Sequence, residues 1–190
     1  DAAATKDPRA QALVGSAYMA GLHGYAKSEA EAVKFYRLAA NSSPIAQNNL
    51  GSLLLTGVAN GGKPAPSEAA EMFRRAAALG HPVAQANLGK LYVDGVGIEK
   101  DVAKAKAFLT RAAAQGNAEA MTLLGDLERH EAAEKWKRLE AAAAAGDAGA
   151  LAFCAAVCAS PAITPLTKHS TSRCVMRPLG PLPWTSAKDT

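Results

Sequence analysis

Residues 84–97 read AQANLGKLYVDGVG, and two earlier stretches of the chain repeat the same pattern. Residues 46–57 read AQNNLGSLLLTG, and residues 10–21 read AQALVGSAYMAG. Self-similarity at a regular interval is typical of a repeat array, in which each unit buries its apolar face against its neighbours. The pattern therefore predicts an array of small units.

One glycine anchors each copy, and a fourth copy follows with the same anchor: Gly15, Gly51, Gly89 and Gly125, at spacings of 36, 38 and 36 residues. An alanine stands five residues before each anchor, and an apolar residue stands immediately before it. Small and apolar residues three and four apart line one face of a helix. We expect a first helix through each anchor, with the glycine allowing a second helix to pack closely.

A second helix is predicted in each unit, after a loop. A further glycine ends the first helix, and alanine-rich segments such as 103–114 follow. We expect Tyr92 and Phe108 to fill the space between the two helices of their unit, with Phe35 and Phe73 matching Phe108. The predicted N-caps are Ser67 and Asp101. The second helices should end at Gly80, Gly116 and Gly146, with Ser43 replacing the glycine in the first unit.

These residues resemble a known family. The pattern A-x-x-x-L-G-x-x-Y-x-x-G-x-G-x-x-x-D, followed by A-x-x-F and A-A-x-x-G, is similar to the Sel-one-like repeat (SLR), a longer relative of the tetratricopeptide repeat. The third unit matches almost throughout, whereas GDLERHEAAEKW replaces the expected loop in the fourth. The resemblance implies an all-α fold, a right-handed α–α superhelix of about four helix–loop–helix repeats plus a capping helix.

The predicted solenoid covers residues 8–159, with units at about 10–43, 46–80, 84–116 and 120–146 and a capping helix at 149–159. The capping helix should turn either Leu151 and Phe153 or Cys154 and Cys158 inward. Residues 160–190 hold half of the ten prolines. They are predicted to form a Pro-rich basic tail, flexible or loosely docked, with Trp184 as a possible anchor.

Charge argues against a nucleic-acid partner. Four of the 21 basic residues lie in the tail against one of the 17 acidic residues, so the rest of the chain is close to neutral. A nucleic-acid binder concentrates basic residues on its folded surface. No stretch reaches the length of about 18 apolar residues that suggests a membrane span, so membrane insertion is not expected. A removed signal peptide and the bacterial periplasm are favoured over the cytoplasm.

Chemical motifs are incomplete. An odd number of cysteines, namely Cys154, Cys158 and Cys174, does not suggest a disulfide framework. The segment HEAAE begins at His130 and Glu131, but a zinc hydrolase needs H-E-x-x-H and Glu134 stands at the second histidine position. Gly95, Gly97 and Asp101 lack the context of a phosphate loop. We therefore predict no enzyme and no catalytic, cofactor-binding or metal-binding residues, with a metal-dependent hydrolase using His130 and Glu131 as the least favoured alternative.

The predicted function is a non-enzymatic adaptor or scaffold that binds another protein or peptide. In the related tetratricopeptide arrays the first helix of each pair lines the concave face. By this resemblance, the positions three before, one after, and four to five after each anchor face outward. The candidate partner-binding residues are Asn48, Ser52, Leu55, Thr56, Lys90, Val93, Asp94, Thr122, Asp126 and Arg129. Asn49 and Asn87 recur two before the anchor and are interpreted as structural, with a hydrogen bond to a neighbouring loop.

The resemblance leaves a second function open. Some proteins with this repeat are immunity proteins that neutralise a secreted bacterial toxin or effector enzyme. Others are bacterial adaptors in envelope assembly, secretion and signalling. The repeat pattern itself does not choose between these partners.

Overall fold

The computed structural model describes residues 6–159, and within this range every regular element is helical. Eight α-helices follow one another: α1 (Pro8–Ala20), α2 (Glu29–Ala39), α3 (Pro44–Leu55), α4 (Pro66–Ala78), α5 (Pro82–Asp94), α6 (Val102–Ala114), α7 (Ala118–Ala144) and α8 (Ala148–Ala159). A single 3-10 turn, Val58–Asn60, lies between α3 and α4. The prediction of an all-α solenoid of helix–loop–helix repeats is confirmed.

Contacts divide the chain into two compact units, up to Leu124 and from Gly125 onward. In the first unit, α1 packs on α2, α3 on α4 and α5 on α6, and successive pairs are joined by contacts of α2 with α3 and of α4 with α5. Each pair is one repeat, with a first helix (α1, α3 or α5) and a second helix (α2, α4 or α6). The core between them is rich in buried alanine and leucine.

Each of the first three anchor glycines is needed for helix packing within its repeat. A Cβ atom on Gly15 would lie 2.8 Å from the ring of Tyr36, one on Gly51 would lie 2.8 Å from Phe73, and one on Gly89 would lie 2.7 Å from Leu109. Side chains do not tolerate such distances, so glycine lets the two helices approach. Tyr36, Phe73 and Leu109 are therefore equivalent residues.

This equivalence corrects the predicted alignment of the aromatic residues. Phe35 and Phe108 stack on Tyr18 and Tyr92, at ring-centroid distances of 5.6 Å and 5.9 Å. Phe73 instead lies under Gly51, which makes Met72 the equivalent of Phe35 and Phe108. The prediction for Tyr92 and Phe108 is confirmed, whereas the match of Phe73 to them is wrong by one residue.

Helix ends follow the predicted glycines, with two corrections. Gly21, Gly57 and Gly95 adopt positive φ values after the first helices, as predicted. Ser43 does not replace a terminating glycine; its hydroxyl caps α3 by accepting from the backbone N–H of Ala46. Ser67 is not the N-cap of α4 either, because Ala65 holds that position and Pro66 begins the helix.

The second unit differs from the predicted fourth repeat. Most of α7 belongs to it, and α7 runs without a break through the segment where a loop was expected. Residues 126–140 contain no glycine or proline and are rich in Glu, Lys, Arg, Leu and Ala, which favour helix. A Cβ on Gly125 would meet only the flexible end of Arg129, at 3.4 Å, so no second helix packs on this anchor among the described residues.

Helix α8 forms where the capping helix was predicted, one residue longer at its start. Its sequence contains no charged residue, and Ala150 is buried. Cys154 is half-buried, whereas Leu151 and Phe153 are each 50% exposed. Leu151 and Phe153 therefore do not face inward, which excludes the first of the two predicted inward faces of this helix. Cys174, Trp184 and the predicted tail lie outside the described residues.

Candidate partner-binding surface

The candidate surface of the first unit lies on the first helices. Position one after each anchor and position five after it lie within 40° of each other on a helical projection, because each residue advances by about 100°. We define the first-helix surface as these two positions in three repeats together with the half-buried position four after the anchor, which lies beside them: Ser16, Met19, Ala20, Ser52, Leu55, Thr56, Lys90, Val93 and Asp94.

The structure places most of the predicted residues of α3 and α5 as expected. Ser52, Thr56, Lys90 and Asp94 are exposed, and Leu55 and Val93 are half-buried. The Ser52 hydroxyl donates to the carbonyl oxygen of Asn48 at 3.3 Å, and the Thr56 hydroxyl donates to that of Leu53 at 3.2 Å. Both hydroxyl oxygens keep lone pairs with which they can accept hydrogen bonds from a partner.

Asn48 does not face solvent, and its predicted place on the surface is wrong. It is 7% exposed, its Oδ1 accepts from Nδ2 of Asn87 at 3.1 Å, and its Nδ2 donates to Oδ1 of Asn49 at 3.2 Å. Asn48 and Leu55 are seven residues apart, which is two helical turns, so they share the flank that meets the following repeat. Ala12 and Ala86, the equivalents of Asn48, are buried in the same way.

Asn49 and Asn87 have the structural role predicted for them. Nδ2 of Asn49 donates to the hydroxyl oxygen of Tyr36 at 3.1 Å, and that hydroxyl also lies 3.1 Å from Oγ of Ser16. Asn87 reaches Asn48 instead. Both asparagines thus bind a helix of the preceding repeat, where a loop was expected as the partner.

The remaining predicted residues lie on α7. Thr122 is exposed at the end of the first unit, and its hydroxyl donates to the carbonyl oxygen of Ala118 at 3.0 Å. Asp126 and Arg129 belong to the second unit, where they form an ion pair with each other. The first-helix surface is therefore defined without these three residues.

Charges on the first-helix surface are confined to the third repeat. Position one after the anchor is serine in the first two repeats and Lys90 in the third, and position five is alanine, threonine and then Asp94. Neither Lys90 nor Asp94 takes part in a side-chain hydrogen bond or ion pair within residues 6–159. Several other exposed charges form pairs three residues apart, as in Lys34–Glu31, Arg74–Glu71 and Lys104–Asp101.

Residues that resembled chemical motifs are explained by the fold. The backbone N–H of Lys104 donates to Oδ1 of Asp101 at 2.9 Å, and this bond is the main reason that the pKa of Asp101 is lowered. Asp101 is thus the predicted N-cap of α6. A Cβ on Gly97 would lie 2.3 Å from the carbonyl carbon of Pro66, so this glycine lets the loop contact the start of α4.

The HEAAE segment lies within α7, and His130 is exposed. Glu134 accepts a hydrogen bond from Nζ of Lys137 at 2.8 Å, which lowers the pKa of its carboxyl group. Within the described part of the chain, no group of three or more His, Cys, Asp or Glu side chains is arranged to hold a metal ion. No helix in that part combines the length and hydropathy needed to cross a bilayer.

Comparison with known families identifies the repeat. The Sel1 repeat model matches three consecutive segments, residues 8–43, 44–81 and 82–117, which together cover more than half of the chain. The chain belongs to the Sel1 repeat family. The three matches coincide with the three helix pairs of the first unit, and no match covers α7 or α8. A search of curated proteins gives no match.

Solved structures support the same conclusion. The chain is 35% identical to a Sel1 repeat protein from Oxalobacter formigenes, with a TM-score of 0.56 over 64% of this chain and 90% of that one. It is 31% identical to a protective antigen present in uropathogenic Escherichia coli strains that displays an SLR fold, with a TM-score of 0.60 over 74% of this chain. The match spans 31% of that antigen's length.

Proposed function

We propose that this Sel1 repeat protein is a non-enzymatic interaction module that holds a segment of another protein on its first-helix surface. Sel1 repeats are commonly protein–protein interaction modules, which supports the general class. The proposed location of the binding site is supported by a difference in burial between two sides of the first helices. The flank position of Ala12, Asn48 and Ala86 is buried in all three repeats, whereas Ser52, Thr56, Lys90 and Asp94 are exposed.

The chemistry of the surface favours a peptide or protein partner. Half-buried Met19, Leu55 and Val93 recur at one position of three successive repeats, beside exposed hydroxyl groups in the second repeat. Apolar contacts beside hydrogen-bonding groups are typical of protein interfaces. Lys90 is the one basic side chain on this surface, which is too few for the phosphate contacts that drive nucleic-acid binding. A nucleic-acid partner is therefore not proposed.

A random peptide library displayed on phage tests the proposal directly. Peptides selected on the wild-type protein should bind the Thr56→Arg variant at least tenfold more weakly, because the longer charged side chain obstructs the surface. Thr110→Arg is the matched control, since Thr110 is exposed on the second helix α6. Equal binding to both variants, or no enrichment of peptides on the wild type, would show that the first-helix surface is not the binding site.

Toxin neutralisation remains a narrower form of the same proposal. It requires the same exposed surface and differs in the partner, an enzyme whose activity would be the measurement. The hydrolase alternative has less support, because Glu134 stands where the motif of a zinc hydrolase needs its second histidine.

A further inference from the structure

Asp94 occupies an electrostatically unfavourable position. It is the last residue of α5, immediately before the capping Gly95, and the last turn of α5 contains no basic residue. The unpaired carbonyl groups at a helix C-terminus carry partial negative charge, so a carboxylate there is destabilising. For the stability of the helix alone, a neutral or basic residue would be better.

Within residues 6–159, Asp94 takes part in no side-chain hydrogen bond or ion pair. Lys90 precedes Asp94 by four residues, and the acid-before-base order is the one that favours pairing across a helical turn. Lys90 and Asp94 have the reverse order and do not form an ion pair. In contrast, Glu31 with Lys34 and Asp101 with Lys104 have the acid first and lie 2.6 Å and 3.0 Å apart.

The surroundings of Asp94 indicate what could use its charge. Val93, the preceding residue, is half-buried and offers an apolar contact beside the carboxylate. The same surface in the first two repeats carries no charge, since it is formed by Ser16, Ala20, Ser52 and Thr56. A partner lying across the three repeats would thus meet uncharged groups along the first two repeats and, in the third, the carboxylate of Asp94 at the end of α5 with Lys90 one turn before it.

We infer that Asp94 pairs with a lysine or arginine side chain at the end of a partner segment that is uncharged along the first two repeats, with an adjacent aliphatic side chain of that segment packed on Val93. The inference rests on the proposed function and specifies the chemistry of its partner. Charge complementarity of this kind fixes the register of a bound segment more than its affinity. The uncharged surfaces of the first two repeats would then accept neutral side chains.

Thermal unfolding in the absence of a partner tests whether the carboxylate of Asp94 destabilises the protein. Asp94→Asn should raise the melting temperature by about 1–3 °C, because it removes a carboxylate from the negative end of a helix. Glu29→Gln is the matched control: Glu29 is exposed in the first turn of α2, where a negative charge is favourable, so its removal should lower the melting temperature. An unchanged or lowered melting temperature for Asp94→Asn would refute the idea that this charge is held at a cost to stability.

The displayed peptide library tests the partner chemistry. Peptides selected on the wild-type protein should be enriched in lysine or arginine next to an aliphatic residue, and those selected on Asp94→Lys should carry aspartate or glutamate instead. Glu99→Lys is the control, because Glu99 is an exposed acid in the α5–α6 loop. Its selected peptides should match those of the wild type.

The outcomes separate the two proposals. If selected peptides depend on Thr56 but show no basic preference, or are the same for Asp94→Lys, the role of Asp94 is wrong and the proposed function stands. If binding of the selected peptides does not depend on Thr56, the proposed function itself fails.

Discussion

The side chain of Gln115 donates a hydrogen bond of 2.8 Å to Oε1 of Gln85, and this completes the bonding of a buried glutamine. Nε2 of Gln85 donates to the carbonyl oxygen of Ala77 at 3.3 Å, at the end of the preceding repeat. Gln47 makes the equivalent bond to Ala40 at 2.8 Å. Its Oε1, however, is buried without a partner in the described structure.

Leu79 explains why Oε1 of Gln47 lacks the donor that Oε1 of Gln85 has, and this leads to a first prediction. It holds the position equivalent to Gln115, with nearly the same backbone angles, and its side chain is 57% exposed. Leu79→Gln should supply the missing donor and raise the free energy of unfolding by about 1 kcal/mol, as a hydrogen bond to a buried acceptor does. Urea unfolding measures the change. Leu79→Met, which has similar length but no donor, should leave stability nearly unchanged; an equal gain in both variants would contradict the explanation.

The anchor glycines should respond oppositely to alanine. Gly89→Ala should lower the free energy of unfolding by about 1–3 kcal/mol, because its Cβ would lie 2.7 Å from Cγ of Leu109. Gly125→Ala should raise it by up to about 1 kcal/mol, since alanine favours helix and the nearest atom belongs to the mobile end of Arg129. Thermal unfolding followed by circular dichroism compares the two. A similar loss for both would show that a second helix also packs on Gly125.

The cap of α5 should make stability depend on pH. Nδ1 of His81 accepts a hydrogen bond from the backbone N–H of Ala84 at 3.2 Å, which requires that nitrogen to be unprotonated. Burial lowers the pKa of His81 below 6.5 in the folded state, so the unfolded chain binds the proton first. The contribution is fully present above pH 6.5 and is lost as the pH falls from there through the folded-state pKa.

The matched variant is His81→Asn, because Asn117 caps α7 through its Oδ1, which accepts from Ala120 at 2.8 Å. Between pH 7.5 and 5.5 the wild type should lose up to about 1 kcal/mol more stability than the variant, the size of a helix cap at a half-buried site. Urea unfolding at the two pH values provides the measurement. Parallel losses in both proteins would exclude His81 as the cause.

The hydroxyl of Tyr36 should couple the first two repeats. Tyr36 is 2% exposed, and Tyr36→Phe leaves Nδ2 of Asn49 without its acceptor. We expect a loss of about 1–3 kcal/mol in the free energy of unfolding. The double variant Tyr36→Phe/Asn49→Leu should recover much of it, because Leu13 is the natural residue at the position equivalent to Asn49. Additive losses in the double-mutant cycle would disprove the coupling.

The sequence was sufficient for the parts of the fold that repeat. Gly51 and Gly89 recur because ring or aliphatic groups of a second helix lie against them, and that constraint is visible in one chain. The fourth repeat was wrongly predicted as a helix pair, since the anchor Gly125 persists where no second helix packs on it within the described chain. The uninterrupted run of helix-favouring residues after Gly125 was the feature of the sequence that argued against a loop.

The candidate surface was less predictable, because a helix buries its flanks as well as its core face when repeats stack. Asn48 is polar and differs from Ala12 and Ala86, which are features of a variable exposed site. Its seven-residue separation from Leu55 places both residues on one side of α3, but that this side meets the following repeat is seen only in the structure. The difference between Leu79 and Gln115 could not be interpreted from sequence. It matters only because a buried glutamine of the same repeat needs a hydrogen-bond donor at that position.

The asparagine contacts also determine whether the repeats are interchangeable. Asn49 needs the Tyr36 hydroxyl of the repeat before it, whereas Asn87 follows a repeat with Phe73 at that position and uses Asn48 instead. Exchanging the second and third repeats would place Asn49 after Leu109 and Ala86, which offer no side-chain acceptor, whereas Asn87 would meet the Tyr36 hydroxyl that Asn49 uses in the natural order. The polar groups at these junctions thus favour the natural serial order, so a version with the second and third repeats exchanged would assemble less stably than the natural arrangement.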